Sequence, residues 1–159
     1  MGLQFARVDK NGVAHFESVS DIQITSQFDM QDISGSDVLI RNAQGLLYLA
    51  KIYKEKIEFQ QIDTKAFGFV RQIKSVNNNT SVIIRSSSGE FIAYLDHGSL
   101  KVDPIFSKQL PYDVDFYSIS NSLSIISSPQ QLFLLSKQLP FNETKVILKN
   151  KTASHTFRP

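Results

Sequence analysis

The stretch that decides the fold is residues 72–95, QIKSVNNNTSVIIRSSSGEFIAYL. It holds two apolar segments, residues 81–85 and 90–95, on either side of a Ser-Ser-Ser-Gly turn. Runs of β-branched and aromatic residues that are interrupted by serine, asparagine and glycine are typical of β-hairpins. The stretch therefore predicts two paired strands, preceded by an asparagine-rich loop at residues 77–79.

The same layout occurs twice more in the chain. The last apolar residue before each turn serves as a common reference, and these residues, spaced by 44 and 42 positions, are Ile40, Ile84 and Ile126. Gly45 and Gly89 follow their reference residues at the same distance, and we expect each to supply a positive φ in a tight turn. Gln131 takes that place in the third copy. A fixed period of about 40–50 residues indicates a repeat architecture.

Most of the remaining chain has the same character. No window of helix length shows a sustained apolar period of 3.6 residues. Asn11 and Gly12 between two apolar segments predict a further hairpin. The alternating segment at residues 51–59 predicts another, with its turn near residues 54–55. We therefore expect a single all-β repeat domain over residues 1–159.

Two architectures suit three β repeats of this size. One is a partial β-propeller of about three four-stranded repeats, either alone or as a fragment of a longer propeller. The other is a β-trefoil, in which three four-stranded repeats close on one another and leave no free edge.

The repeat pattern resembles that of the regulator of chromosome condensation family, over residues 30–157. The matching parts are residues 59–62, 70–73 and 81–84 with Gly89 and Phe91, and residues 146–157 match the family's Ser-His-Thr strand. The family's Trp-Gly pair after the second strand is replaced here, in the three copies, by Leu49-Ala50, Leu95-Asp96 and Leu135-Ser136.

The resemblance implies a β-propeller, which in this family usually has seven blades. Three blades do not close such a ring, so the chain is then a fragment, a short member completed by a partner, or an open array with strand edges available for pairing. Some members promote nucleotide exchange on small GTPases, and many others only bind partners. The wedge insertion that exchange requires is absent here, so no exchange residue is carried over.

Composition narrows the classes of function. The 17 basic and 15 acidic residues leave a net charge of only +2 and are scattered along the chain, which does not indicate nucleic-acid binding. Cysteine is absent, so we expect no disulfide. The start of the chain lacks the pattern of a signal peptide, and no apolar run approaches the length of a membrane span. We therefore expect an intracellular protein, either cytoplasmic or nuclear.

No catalytic, cofactor or metal site is predicted. His15, His97 and His155 lack further ligands at metal spacing, and His97 reads as part of a polar turn. No nucleophile elbow or phosphate loop occurs.

We expect a non-enzymatic protein-binding scaffold with a protein partner. The alternatives are nucleotide exchange on a small GTPase and a β-trefoil that binds a carbohydrate or a receptor. The candidate partner contacts lie on the basic hairpin, at Lys51, Tyr53, Lys54 and Lys56.

Overall fold

The computed structural model describes residues 4–18, 28–53, 56–106, 110–129 and 131–136. Within these ranges the chain forms β-strands and no helix, which confirms the predicted all-β class. The strands are β1 (Gln4–Val8), β2 (Ala14–Ser18), β3 (Phe28–Ser34), β4 (Asp37–Asn42), β5 (Leu47–Ile52), β6 (Ile57–Ile62), β7 (Val70–Val76), β8 (Ser81–Ser86), β9 (Gly89–Asp96), β10 (Ser99–Phe106), β11 (Asp115–Ser120), β12 (Leu123–Ser127) and β13 (Leu132–Ser136).

The strands form four antiparallel sheets that follow chain order. β1 and β2 form a hairpin of their own, with Gly12 at a φ of +80° in its turn, as predicted. We call β3–β6 sheet 1, β7–β10 sheet 2 and β11–β13 sheet 3. These described sheets are open and form no closed barrel, which the β-trefoil alternative requires. The predicted family strand at residues 146–157 lies outside the described residues.

Sheet 2 lies between sheets 1 and 3 because its strands are apolar on both faces. Successive side chains of a strand point to opposite faces, so β8 sends Val82 and Ile84 toward sheet 1 and Ile83 toward sheet 3. In the core between sheets 1 and 2, the rings of Phe67 and Phe91 pack edge to face, with 5.2 Å between the ring centres. The near-continuous apolar run in β8 is thus explained by burial on both sides.

The three reference residues occupy the same place in their sheets. Each lies in the second strand, is fully buried, and stands directly opposite an aromatic residue of the third strand. The pairs are Ile40 with Tyr48, Ile84 with Phe91, and Ile126 with Phe133. Pairs of an aromatic and a β-branched side chain stabilise antiparallel strands. The predicted strand–turn–strand units are therefore present, and they share a cross-strand contact that was not predicted.

Gly45 and Gly89 do have positive φ, of +76° and +138°. The prediction that they occupy equivalent positions in their turns is wrong, because they differ by one residue. Gly89 pairs with Ser86 across a two-residue turn, whereas Gly45 lies inside a turn that is one residue longer. Because of the extra residue, the third strand of sheet 1 begins after Gly45, whereas Gly89 is itself the first residue of the third strand of sheet 2. Gln131 corresponds to Gly89, because its carbonyl accepts a hydrogen bond from the backbone N–H of Ser128.

Each second strand continues into a buried polar residue that braces the following turn. These residues accept hydrogen bonds from backbone N–H groups of their own turns, and they are Asn42, Ser86 and Ser128. Local bonds of this kind between side chain and backbone favour turns over continued strands. They stop each second strand at the same distance from its reference residue.

Candidate functional site

The predicted contact residues lie on the β5–β6 hairpin. Ile52 pairs with Ile57, and the N–H of Tyr53 donates to the carbonyl of Lys56 at 2.8 Å, so the predicted hairpin is present. Residues 54–55, where its turn is predicted, lie outside the described residues. Lys54 lies outside the described residues. The structure therefore places Lys51, Tyr53 and Lys56 close together at one end of sheet 1.

The two described lysines of this hairpin, Lys51 and Lys56, already have partners. Lys51 donates to the carbonyl of Gly98 in sheet 2 at 3.0 Å. Lys56 Nζ lies 2.7 Å from Glu58 Oε1 and 5.6 Å from the centre of the Tyr53 ring. The hydrogen bond that Lys56 donates to Glu58 raises the pKa of Lys56, and the same contact lowers the pKa of Glu58. These contacts are exposed and weak, and they offset part of the positive charge that suggested a partner site.

The outer face of sheet 3, the side turned away from sheet 2, is the larger candidate surface. Tyr117 and Ile119 on β11 are 55% and 52% exposed. Tyr117 stands opposite Ile125, and Ile125 stands opposite Leu134, so the three share a face. The half-buried Leu123 and Leu132 belong to the same side of the sheet by alternation. Six apolar side chains thus line one side of a three-stranded sheet.

The corresponding positions in the other two sheets are buried against the next sheet. In each sheet, the residue before the reference residue pairs with an apolar residue of the third strand. These pairs are Leu39 with Leu49, Ile83 with Ile92, and Ile125 with Leu134. The first two pairs are fully buried between sheets, and the third faces no described sheet. Sheet 3 therefore presents the positions that sheets 1 and 2 use for packing.

A buried ion pair joins sheet 2 to the segment that leads into sheet 3. Arg85 and Glu90 are 4% and 1% exposed, and Arg85 Nε lies 3.2 Å from both carboxylate oxygens. The guanidinium also donates to the carbonyls of Leu110, Pro111 and Tyr112 at 3.1, 2.8 and 3.3 Å. Because all these donors are satisfied, the pair holds the connecting segment in place.

Sheet 1 has a related contact at the same position. Arg41, like Arg85, directly follows its reference residue; its guanidinium bonds Asp29 at 2.8 Å and reaches the carbonyl of Val70 in sheet 2 at 3.5 Å. Both arginines therefore extend from a second strand toward the start of the next sheet. Sequence reasoning missed this role, although an arginine one residue after the reference residue in two copies was a visible signal.

A cavity of about 300 Å³ opens beside the buried ion pair. Its lining comprises Arg71, Gln72, Arg85 and Tyr112. Arg71 lies at a register shift in β7, between the pairs that Val70 and Gln72 make with β8. None of Arg71, Gln72 and Tyr112 was singled out by sequence reasoning, because the bulge and the approach of the connecting segment are tertiary features.

The asparagine run joins sheets 2 and 3 at the opposite end. Asn77, Asn78 and Asn79 form the predicted loop with φ of 52°, 52° and 63°, in the left-handed region that asparagine tolerates better than most residues. The N–H of Asn77 donates to Ser124 Oγ at 2.8 Å, and that hydroxyl donates back to Asn77 Oδ1 at 2.7 Å. Thr80 Oγ1 donates to the carbonyl of Asn121 at 3.0 Å. The loop is thus a structural contact between sheets.

The histidines take structural positions where they are described. His97 and Gly98 form the predicted turn between β9 and β10, with φ of 49° and 79°. His15 Nε2 lies 2.9 Å from Asp9 Oδ2 on the β1–β2 hairpin, and this hydrogen bond lowers the pKa of Asp9. His155 lies outside the described residues. In the part of the chain that is described, no three His, Asp or Glu side chains come together as a metal site.

None of the described segments is a helix with the length and apolar character needed to cross a membrane. Comparison of the chain with protein-family models, with curated proteins and with solved structures finds no match.

Proposed function

We propose that the chain is a non-enzymatic protein-binding scaffold, and that sheets 1 to 3 are successive blades of a partial β-propeller. Two features support the blade interpretation. Each sheet takes its antiparallel strands in chain order and packs face to face on the next. The first strands also meet in sequence, since β7 contacts both β3 and β11. A propeller has this radial order of sheets around an axis.

The scaffold role rests on the outer face of sheet 3. This face carries apolar residues at the same strand positions through which sheet 1 packs on sheet 2 and sheet 2 packs on sheet 3. Tyr117 and Ile119 on this face are about half exposed. Contiguous apolar surface on a folded protein marks sites of interaction. We expect this face to bind a β-sheet of a protein partner. That sheet would pack on the Ile125–Leu134 pair in the way that sheet 2 packs on the Leu39–Leu49 pair.

The buried polar groups support a structural role for the chain. Asn42, Ser86 and Ser128 brace turns, Ser124 and Asn77 join sheets, and Arg85 with Glu90 holds a connecting segment. These particular groups therefore serve the architecture of the sheets.

Site-specific photo-crosslinking in the native cell tests the proposal. A photoreactive phenylalanine at Tyr117 should cross-link to a β-rich protein, and the same group at the exposed Lys101 on β10 should not. Adding Ile119→Asp should abolish the cross-link while the protein stays folded. Cross-links that join Tyr117 only to this same chain, or equal labelling from both positions, overturn the proposal. If the captured protein is a small GTPase, its rate of nucleotide release then tests the exchange alternative.

A further inference from the structure

The cavity beside β7 holds Arg71, which forms no ion pair with any carboxylate among the described residues. Arg71 lies at the β-bulge between Val70 and Gln72, where the ladder between β7 and β8 skips a residue. A bulge redirects the side chain of its extra residue. The register shifts in the first strands of sheets 1 and 3 fall instead near the following turn, at Ile33 and Ile119. The bulge at Arg71 is thus a local departure from the pattern of the other two sheets.

The two guanidinium groups of the cavity differ in how they are satisfied. Arg85 is neutralised by Glu90 and donates to three backbone carbonyls. Arg71 makes one long hydrogen bond, from Nη2 to the carbonyl of Ser86 at 3.5 Å. Among the described residues, its Nε is buried without a hydrogen-bond partner. A buried donor of this kind is costly unless an acceptor arrives.

The other two lining residues supply a polar and an apolar contact. Gln72 brings an amide, whose Oε1 lies 3.4 Å from Arg85 Nη1. Tyr112 is 86% exposed, and the centre of its ring lies 6.0 Å from the guanidinium carbon of Arg71. A guanidinium beside an aromatic face keeps its planar fork available in the plane of the group.

We propose that this cavity binds a carboxylate group, with Arg71 as its charged partner. One unneutralised guanidinium matches the single charge of a carboxylate in both sign and geometry. Tyr112 then covers the apolar carbon chain that carries the carboxylate. The volume of about 300 Å³ is that of a small ligand site, so it holds an acidic side chain, a peptide C-terminus or a small free acid. The proposal does not depend on the partner of sheet 3.

NMR titration of the ¹⁵N-labelled chain tests the site and separates these sources. The probes are sodium acetate, a capped glutamate peptide and an uncapped alanine peptide whose one carboxylate is its C-terminus, each against sodium chloride at equal ionic strength. We expect saturable shifts at the amides of Arg71, Gln72 and Tyr112 and at the Arg71 Nε–H, with chloride producing none. The tightest of the three probes identifies the source of the carboxylate. Inorganic phosphate that binds more tightly than all three overturns the assignment to a carboxylate.

Three variants complete the test. Arg71→Gln should weaken binding roughly tenfold or more, which is the loss of one charge-assisted hydrogen bond, and Arg71→Lys should restore part of it. Lys74→Gln removes the same charge from an exposed position of the same strand and should leave binding unchanged. Tyr112→Ala, which truncates an exposed side chain, should weaken binding to the peptides more than binding to acetate. Equal losses in Arg71→Gln and Lys74→Gln mean that the effect is only long-range charge, and the proposal is then wrong.

Discussion

Arg85 and Glu90 face each other across the β8–β9 hairpin, and both side chains are buried between sheet 2 and the segment that enters sheet 3. Both charges are almost fully buried, so each depends on the other and on the backbone around it. Leu110 bonds both members, because its N–H donates to Glu90 Oε1 at 3.3 Å and its carbonyl accepts from Arg85 at 3.1 Å. The pair therefore connects the β8–β9 hairpin to the segment that positions sheet 3.

Removing one member of this pair should be strongly destabilising. Arg85→Met leaves Glu90 buried and uncompensated, and we expect a loss of about 3–5 kcal/mol in the free energy of unfolding, measured by urea denaturation. The double variant with Glu90→Leu should lose less than the sum of the two single variants, because it leaves no unpaired charge. Lys56→Met, at the exposed pair with Glu58, is the control and should change the stability little. An additive double-mutant cycle contradicts the expected coupling.

The two faces of β12 should respond differently to the same substitution. Ile126 is fully buried in the core with sheet 2, so Ile126→Ala should cost about 2–5 kcal/mol by urea denaturation. Its neighbour Ile125 points to the half-exposed outer face, and Ile125→Ala should cost clearly less in the free protein. Equal losses from both variants mean that the outer face is already covered without a partner, which contradicts the scaffold proposal.

Gly45 should be sensitive to alanine for two separable reasons. Its φ of +76° is unfavourable for any residue with a Cβ, and a Cβ there would lie 2.7 Å from Cδ2 of Phe69. Gly98→Ala isolates the backbone effect, because φ is +79° and no atom lies within 4 Å of the added carbon. We expect about 1–2 kcal/mol of destabilisation at Gly98, a larger loss at Gly45 and almost none at Gly35. Thermal unfolding of the three variants measures this order, and a neutral Gly45→Ala rejects it.

Tyr94 should titrate above the ordinary range of a tyrosine. Burial, and a hydrogen bond of 2.9 Å from its hydroxyl to Asp103 Oδ2, raise the pKa of Tyr94 to about 12. Because the folded state holds the phenol proton more tightly than the unfolded chain, this contribution is complete below about pH 10 and is lost as the pH rises toward 12. Ultraviolet absorbance against pH should show the late-titrating group, and Tyr94→Phe should remove it. A titration curve that Tyr94→Phe leaves unchanged contradicts this assignment.

Much of the local structure was readable from the chain. Alternation of apolar and polar residues predicted the β5–β6 hairpin, and the two apolar segments around residues 86–89 predicted β8 and β9. Turn chemistry predicted the positive φ of Gly45 and Gly89. Their exact correspondence failed, because the length of a turn is set by the polar residue that braces it, here Asn42, and by no period in the sequence.

The surfaces were harder to read. The basic hairpin looked like the most distinctive charged element, yet Lys51 and Lys56 are paired with neighbours that alternation alone does not reveal. Arg85 read as the polar end of a strand, and its burial depends on three carbonyls that arrive from more than twenty residues away. The pattern of charges along a sequence indicates contacts between near neighbours. It does not indicate which charged side chain is removed from water by a segment that is distant in the chain.

By itself, the sequence determined the strands, the turns and the direction of each hairpin, because these depend on the alternation of side chains and on backbone preferences within a few residues. Only the tertiary structure decided that Arg85 is buried, that Arg71 lines a cavity and that Ile125 lies on a face that packs against no described sheet. Those outcomes depend on which sheet packs against which face, and the free energy of that packing comes from residues far apart in the chain.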